Sequence, residues 1–330
     1  MARWCELALV TTLACGARTG LEAPPTPDAG PPDAAECAPG VHTAAARRAE
    51  VFFVLDRSGS MGYTLPDGRT RARALHDGLR ATLPAVEATL PFGAIIFPGN
   101  GRECEVDPEP EVPLATRNAA RLLATYEAVR VNGGTPTWAA LQVARRVFSS
   151  STDAARFLVL ATDGGPSCNP ALTGRACRCE VPGLPCRVGE CIDDLRTAEA
   201  LSALARDGVP TYLVGIDDPR RPELLSVLDA LAVAGQRPRP SRPRYYSARR
   251  SEELTEALAA IRQAITRCVF AIPARATDSV RVSLDGAPVP RDPTRAEGWD
   301  WTGARELTLF GAPCAAVTDR SAVRADITCR

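Results

Sequence analysis

Four short, almost purely apolar runs mark the middle of the chain: Val51–Leu55, Phe92–Phe97, Arg156–Ala161 and Pro210–Ile216. Successive side chains of a strand point to opposite faces, so a strand that is apolar at consecutive positions must be covered on both sides. Longer amphipathic stretches separate the runs, and their spacing predicts helices over Arg71–Glu87, Ala115–Val129, Thr137–Phe148, Leu195–Arg206 and Ser251–Arg267. Strands alternating with helices in this way specify an α/β domain, with a mainly parallel central sheet flanked by helices.

After Cys268 the texture changes. Val280–Leu284 and Glu306–Phe310 read as strands, Asp285-Gly286 as a turn, and no helical period survives, so residues 268–330 are expected to form a small β-rich appendage. A chain of 330 residues has room for one large unit and one small one. The three appendage cysteines, Cys268, Cys314 and Cys329, would reinforce a core too small to be stable unaided.

Ahead of the α/β region, MARWCELALVTTLACG carries one early Arg, an apolar stretch from Leu7 to Ala14, and then Cys15. This resembles a bacterial lipoprotein signal, which implies cleavage before Cys15 and lipidation of that residue. Residues 16–47 follow as an expected tether. Their segment EAPPTPDAGPPDAAE has nothing large to bury, and its prolines favour an extended spacer. No later apolar run approaches the ~20 residues a spanning helix needs, so contact with a membrane is expected only through the lipid anchor. With 12 cysteines, the chain is expected to be exported and mostly disulfide-bonded, as a cell-envelope lipoprotein facing the periplasm or the surface.

Absences narrow the chemistry further. All 39 basic residues are Arg. Neither a phosphate-reaching Walker Lys nor Schiff-base chemistry is therefore available. The two histidines, His42 and His76, lie beside the tether and in a helical stretch, where ordinary surface or helix-face roles suit them. A Ser-His-Asp triad or a His-based zinc site is hard to build from them. The formal net charge of zero, without basic runs, argues against a nucleic-acid partner.

Three polar segments fall where the strands end or a helix begins: Asp56-Arg57-Ser58-Gly59-Ser60-Met61, Gly133-Gly134-Thr135-Pro136-Thr137 and Thr162-Asp163-Gly164. Taken singly, each is satisfied by a turn or a helix cap. In this order and at these ends, they resemble the von Willebrand factor A domain with its metal-ion-dependent adhesion site, over residues 48–267. The resemblance implies a Rossmann-like fold. It also implies direct Mg²⁺ ligation by the hydroxyls of Ser58, Ser60 and Thr135, with Asp56 and Asp163 acting close by, directly or through water. Mn²⁺ is an alternative ion. Such a centre leaves the ion's charge under-compensated and attracts an acidic side chain from a protein partner, so binding rather than catalysis is implied. Two other readings stay open: a metal-dependent hydrolase or phosphoryl-transfer enzyme using Asp56 and Asp163, and a purely structural envelope protein.

A Gly- and Pro-rich insertion over about residues 164–194 holds Cys168, Cys177, Cys179, Cys186 and Cys191. A zinc cluster is one option, and disulfides are the stronger one in an exported chain. Setting aside Cys5 and Cys15 leaves five cysteines in the insertion, three in the appendage, and Cys37 and Cys104. Odd groups force at least one bond out of each. In the von Willebrand A arrangement the loop holding Cys104 lies on the metal-bearing edge, which implies a bond from Cys104 to the insertion and one from Cys37 to the appendage.

Overall fold

A computed structural model describes residues 37–99, 103–149, 154–179, 189–217, 221–318 and 320–329. In chain order its strands are β1 (Gly40–Thr43), β2 (Ala45–Ala46), β3 (Ala49–Asp56), β4 (Phe92–Phe97), β5 (Val112–Ala115), β6 (Ala155–Thr162), β7 (Thr211–Ile216) and β8 (Tyr246–Ala248). The remaining strands are β9 (Val269–Ala271), β10 (Ser279–Leu284), β11 (Ala287–Val289), β12 (Gly298–Gly303), β13 (Glu306–Phe310) and β14 (Val323–Thr328). The helices are α1 (Arg71–Thr82), α2 (Ala119–Ala128), α3 (Thr137–Val147), α4 (Asp194–Arg206), α5 (Pro222–Ala234), α6 (Ser251–Arg267) and the short α7 (Gly311–Ala316).

The apolar runs form the middle of a six-stranded sheet in the order β5-β4-β3-β6-β7-β8. Only the edge strand β5 runs antiparallel to its neighbour. Both faces are covered, as consecutive apolar residues require. Val51, Phe53 and Leu55 of β3 pack with apolar residues of α1, α2 and α6 in one core. Phe52 and Val54 pack with α3, α4 and α5 in the other. Each such side chain contributes about 1.5–3 kcal/mol by leaving water, so the two cores together fix the register of the sheet. The chain proceeds from β3 to β4 on one side and to β6 on the other, and a sheet of this kind opens a crevice at the carboxyl ends where its order reverses. The fold is a Rossmann-like α/β arrangement, as the resemblance to the von Willebrand factor A domain implies.

Residues beyond Cys268, joined by β1 and β2, build an all-antiparallel pair of four-stranded sheets, β1-β14-β10-β11 and β12-β13-β9-β2, over one core that includes Phe270, Trp299, Trp301, Leu307 and Ile327. The β10–β11 hairpin turns through Asp285 (φ 51°) and Gly286 (φ 87°), the left-handed pair that a tight two-residue turn demands. Two expectations need correcting here. The tether expected over residues 16–47 does not extend that far: β1 pairs with β14, and β2 with β9, so residues 40–46 belong to the appendage. These strands are mostly exposed and poor in large apolar residues, which hid them. The appendage also contains a helix, α7, whose six residues are too few to show a period. The α/β domain is thus inserted between the second and third strands of a β-sandwich.

Four disulfides lie within the described residues: Cys37–Cys329, Cys104–Cys168, Cys177–Cys191 and Cys268–Cys314. Cys179 is disulfide-bonded too. One bond joins Cys104 to the insertion and another joins Cys37 to the appendage. Cys15, Cys186 and the signal segment lie outside the described residues.

Candidate metal centre

Strand β3 delivers Asp56 fully buried at the switch point, and the chain then turns sharply. The turn is held by Asp56 itself, whose Oδ1 accepts from the Ser58 backbone N–H at 2.7 Å. Ser58 and Ser60 follow in a short 3₁₀ turn, their hydroxyl oxygens 3.1 Å apart. Buried Met61 pins this turn to the core.

Parallel pairing of β3 with β6, in the register Leu55↔Ala161, sets the next two residues of each strand side by side. Thr162 Oγ1 donates to Asp56 Oδ2 at 2.6 Å. Asp163, one residue further, accepts from Ser60 Oγ at Oδ1 (2.8 Å) and from Arg71 Nη1 at Oδ2 (2.6 Å). Asp56, Ser58, Ser60 and Asp163 therefore form one connected set, although Ser60 and Asp163 stand 103 residues apart in sequence.

The third segment joins through its backbone. Gly59 N–H donates to Gly133 O at 3.0 Å, and Asn132 N–H to Arg57 O at 3.1 Å. Thr135 is buried and exchanges two hydrogen bonds with Ser167 of the insertion: Thr135 N–H to Ser167 Oγ at 2.9 Å, and Ser167 N–H to Thr135 O at 2.8 Å. Among the described residues, no direct hydrogen bond joins the Thr135 hydroxyl to the other four side chains. Gly133 takes a left-handed φ of 78°, and a Cβ there would lie 2.7 Å from Glu103 O. A Cβ on Gly134 would lie 2.7 Å from Cys168 Sγ. The two glycines thus admit the Cys104–Cys168 bridge directly against the Thr135 loop.

Electrostatically the centre carries two buried carboxylates and one buried guanidinium. Burial, and then the neighbouring charge of Asp163, pushes the Asp56 carboxyl up to about 7, against the lowering effect of its bonds from Thr162 and Ser58. Burial also raises Asp163, opposed by Arg71 and Ser60. A site that resists ionisation of both acids is one where an added cation is favoured. Its oxygen spacing suits Mg²⁺, because neighbouring ligands of an octahedron with ~2.05 Å bonds stand ~2.9 Å apart. The Ser58–Ser60 and Ser60–Asp163 separations of 3.1 and 2.8 Å bracket that value. The hydroxyl and carboxylate oxygens gathered here are the hard donors that Mg²⁺ takes.

The sequence names the five candidate donors but not the residues that hold them. Thr162 binds Asp56, Tyr126 Oη donates to the Asp56 carbonyl at 3.0 Å, Ser167 fixes Thr135, and Arg71 faces Asp163. Arg71 alone left a signal: it is the first residue of α1, where the helix dipole disfavours a cation.

No protein-family model matches the chain, and no curated protein does. Among solved structures, the chain is similar to the pilus adhesin SpaC from Lactobacillus rhamnosus GG, at TM-score 0.52 and 14% identity, over 88% of this chain and 42% of that one. The open conformation of SpaC aligns equally, at TM-score 0.52 and 14% identity, over 88% and 41%. The von Willebrand factor domain of the type V pili tip protein Mfa5 from Porphyromonas gingivalis aligns at TM-score 0.45 and 15% identity, over 67% of this chain and 95% of that one. The chain spans less than half the length of SpaC. At such identities the likeness is one of fold.

Proposed function

We propose that this protein is an exported, lipid-anchored binding module that captures an acidic side chain of a protein partner through Mg²⁺ or Mn²⁺. Asp56, Ser58, Ser60, Thr135 and Asp163 would hold the ion, with Cys15 as the lipid attachment. The observation that supports this reading is that the hydroxyls of Ser58 and Ser60 and the carboxylates of Asp56 and Asp163, from segments about 100 residues apart, form one hydrogen-bonded set at the switch point of the sheet. When bound, the ion supplies a positive charge with a coordination position for a carboxylate. The chain's own residues fix the donors: Thr162 orients Asp56, Ser167 and the Cys104–Cys168 bridge position Thr135, and Arg71 orients Asp163.

Binding rather than catalysis is favoured because the three motif segments hold no His or Glu to serve as a general base beside a metal-bound water. An adhesive role is the one named for SpaC.

Isothermal titration of the full chain with Mn²⁺ tests the centre. Asp56→Ala, Asp163→Ala, Thr135→Ala and the double change of Ser58 and Ser60 to Ala should each weaken binding at least tenfold while the circular dichroism spectrum is kept, because the donors lie on loops at the sheet edge. A wild-type chain that binds neither Mn²⁺ nor Mg²⁺ at millimolar concentration, or variants that bind as wild type does, would overturn the reading. Where the ion does bind, envelope proteins retained with Mg²⁺ and released by chelator are the partner candidates.

A further inference from the structure

Asp163 already has a cation. Arg71 Nη1 donates to its Oδ2 at 2.6 Å, and the two side chains are only 5% and 0% exposed. The guanidinium also lies under the ring of Tyr63, 5.5 Å from its centroid. Arg71 sits at the first position of α1, directly after the capping Thr70, whose side chain accepts from Arg73 N–H. Its backbone N–H donates to Tyr63 O at 2.9 Å. Both its backbone and its side chain are thus anchored beside the DxSxS turn. A buried cation at a helix start costs free energy on two counts, desolvation and the helix dipole, so its placement against a candidate metal donor calls for a reason.

Charge bookkeeping supplies one. Asp56 and Asp163 supply at most two negative charges, and the Arg71 guanidinium held against Asp163 cancels one of them, so a divalent ion leaves the centre net positive where, without Arg71, the two acids could match it. The guanidinium therefore opposes the ion through charge repulsion, and by occupying Oδ2 it leaves Asp163 only Oδ1, already shared with Ser60, to face the donors. The same charge leaves the loaded centre positive, at low local dielectric where Coulomb interactions are strong. Resting on the metal-binding reading above, we infer that Arg71 is a tuning residue of the centre: it weakens retention of the ion and strengthens capture of a partner's carboxylate. Ion and partner carboxylate then bind cooperatively, since the arriving anion relieves the repulsion that Arg71 creates.

Arg71→Gln removes the charge and keeps a donor for Asp163; Arg71→Met keeps the apolar stem against Tyr63 if the first variant does not fold; Arg71→Lys keeps a charge. Mn²⁺ affinity of the full chain is read by electron paramagnetic resonance of free Mn²⁺, and carboxylate capture by titrating acetate and following the water-proton relaxation of the bound ion. Arg71→Gln should bind Mn²⁺ at least tenfold more tightly than wild type. It should also need at least threefold more acetate to displace metal-bound water, with Arg71→Lys nearer to wild type on both measures. Acetate should tighten Mn²⁺ binding in the wild type more than in Arg71→Gln. Equal Mn²⁺ and acetate affinities in wild type and Arg71→Gln would overturn the inference and leave the metal centre standing. Folded proteins that bind no Mn²⁺ with or without Arg71 would instead remove the metal centre itself, and this inference with it.

Discussion

Replacing Cys104 and Cys168 by Ser opens a loop closed across a sequence separation of 64 residues. Loop-closure entropy scales with the logarithm of that length, and a loop of this size corresponds to about 4 kcal/mol of lost stability. The native geometry gives no reason to discount that figure, since the Cα atoms stand 5.5 Å apart, within the ordinary range for a disulfide. The loop contains β5, α2, α3 and β6, so its closure constrains two of the six strands of the sheet. In a domain of this size the loss should lower the melting temperature by about 10 °C. The assay is urea unfolding followed by tryptophan fluorescence, for the wild type and the double Ser variant under the same non-reducing conditions. A second readout concerns the centre: Gly134 N–H donates to Glu103 O at 2.7 Å, next to the bridge, so its removal should also loosen the Thr135 loop and lower Mn²⁺ affinity severalfold. A stability loss below about 1 kcal/mol would refute the entropic reasoning. Unchanged Mn²⁺ affinity would show that the bridge is a global staple only.

Three further outcomes are expected. Burial foremost, and Asp107 beyond it, pushes Glu111 from the ordinary 4.5 up to about 7 while it accepts from Ile96 N–H at 2.9 Å. The folded state therefore keeps a proton that the unfolded state releases, so its contribution falls as pH rises from about 4.5 to about 7 and stays low above. Glu111→Gln should raise the melting temperature at pH 8 and converge on wild type near pH 4.5; parallel profiles would refute this. Thr162→Val removes the 2.6 Å donor to buried Asp56, and in metal-free buffer should cost about 1.5–3 kcal/mol at pH 8, less at pH 5 where the acid is protonated. A cost independent of pH, measured by denaturant unfolding, would detach Thr162 from the Asp56 charge. Finally, Cys15→Ser should shift the protein from the membrane to the soluble fraction on detergent partitioning, and an unlipidated wild-type mass would refute the anchor.

What could be read from the sequence was what is local. Val51–Leu55, Phe92–Phe97 and Arg156–Ala161 declare strands buried on two faces because each residue carries its own apolar signal, and all three lie in the central sheet. Edge strands carry no such signal: β5 reads Val-Pro-Leu-Ala, with Pro113 where only an edge tolerates it. Helix α5 buries Leu224, Val227, Leu228 and Leu231 at helical spacing, yet Ala230, Val233 and Ala234 blur the stripe, so the sequence pattern predicts no helix there. The five candidate donors were legible because DxSxS, Thr and Asp each stand at a strand end or helix start. Their supports were not, since Arg71 and Asp163 are 92 positions apart, and Thr162 and Asp56 are 106 apart. No local pattern records such a pairing.

The same logic explains the hidden strands 40–46 and fixes an order of assembly. Ala45 pairs with Ala271, and the stretch between them is the entire α/β domain, from β3 to α6. Closing so long a loop before that domain has formed would incur the full chain entropy with only two paired residues, Ala45 and Ala46, to offset it. Once the α/β domain folds, the end of α6 and the start of β3 are held in place, and residues 46 and 269 are carried together at little further cost. The sandwich sheet β12-β13-β9-β2 is then completed by the domain inserted into it, and Cys37–Cys329 closes the chain beyond both. Stability of the α/β cores and completion of the appendage are coupled by topology. Core substitutions such as Leu160→Ala, at a fully buried site costing about 2–5 kcal/mol, should therefore release β2 from β9 as well, a loss visible as faster amide exchange at Ala45 and at Arg47, whose N–H donates to Val269 O. Exchange at β2 unchanged by a core substitution of that cost would mean that the sandwich closes independently of the domain it encloses.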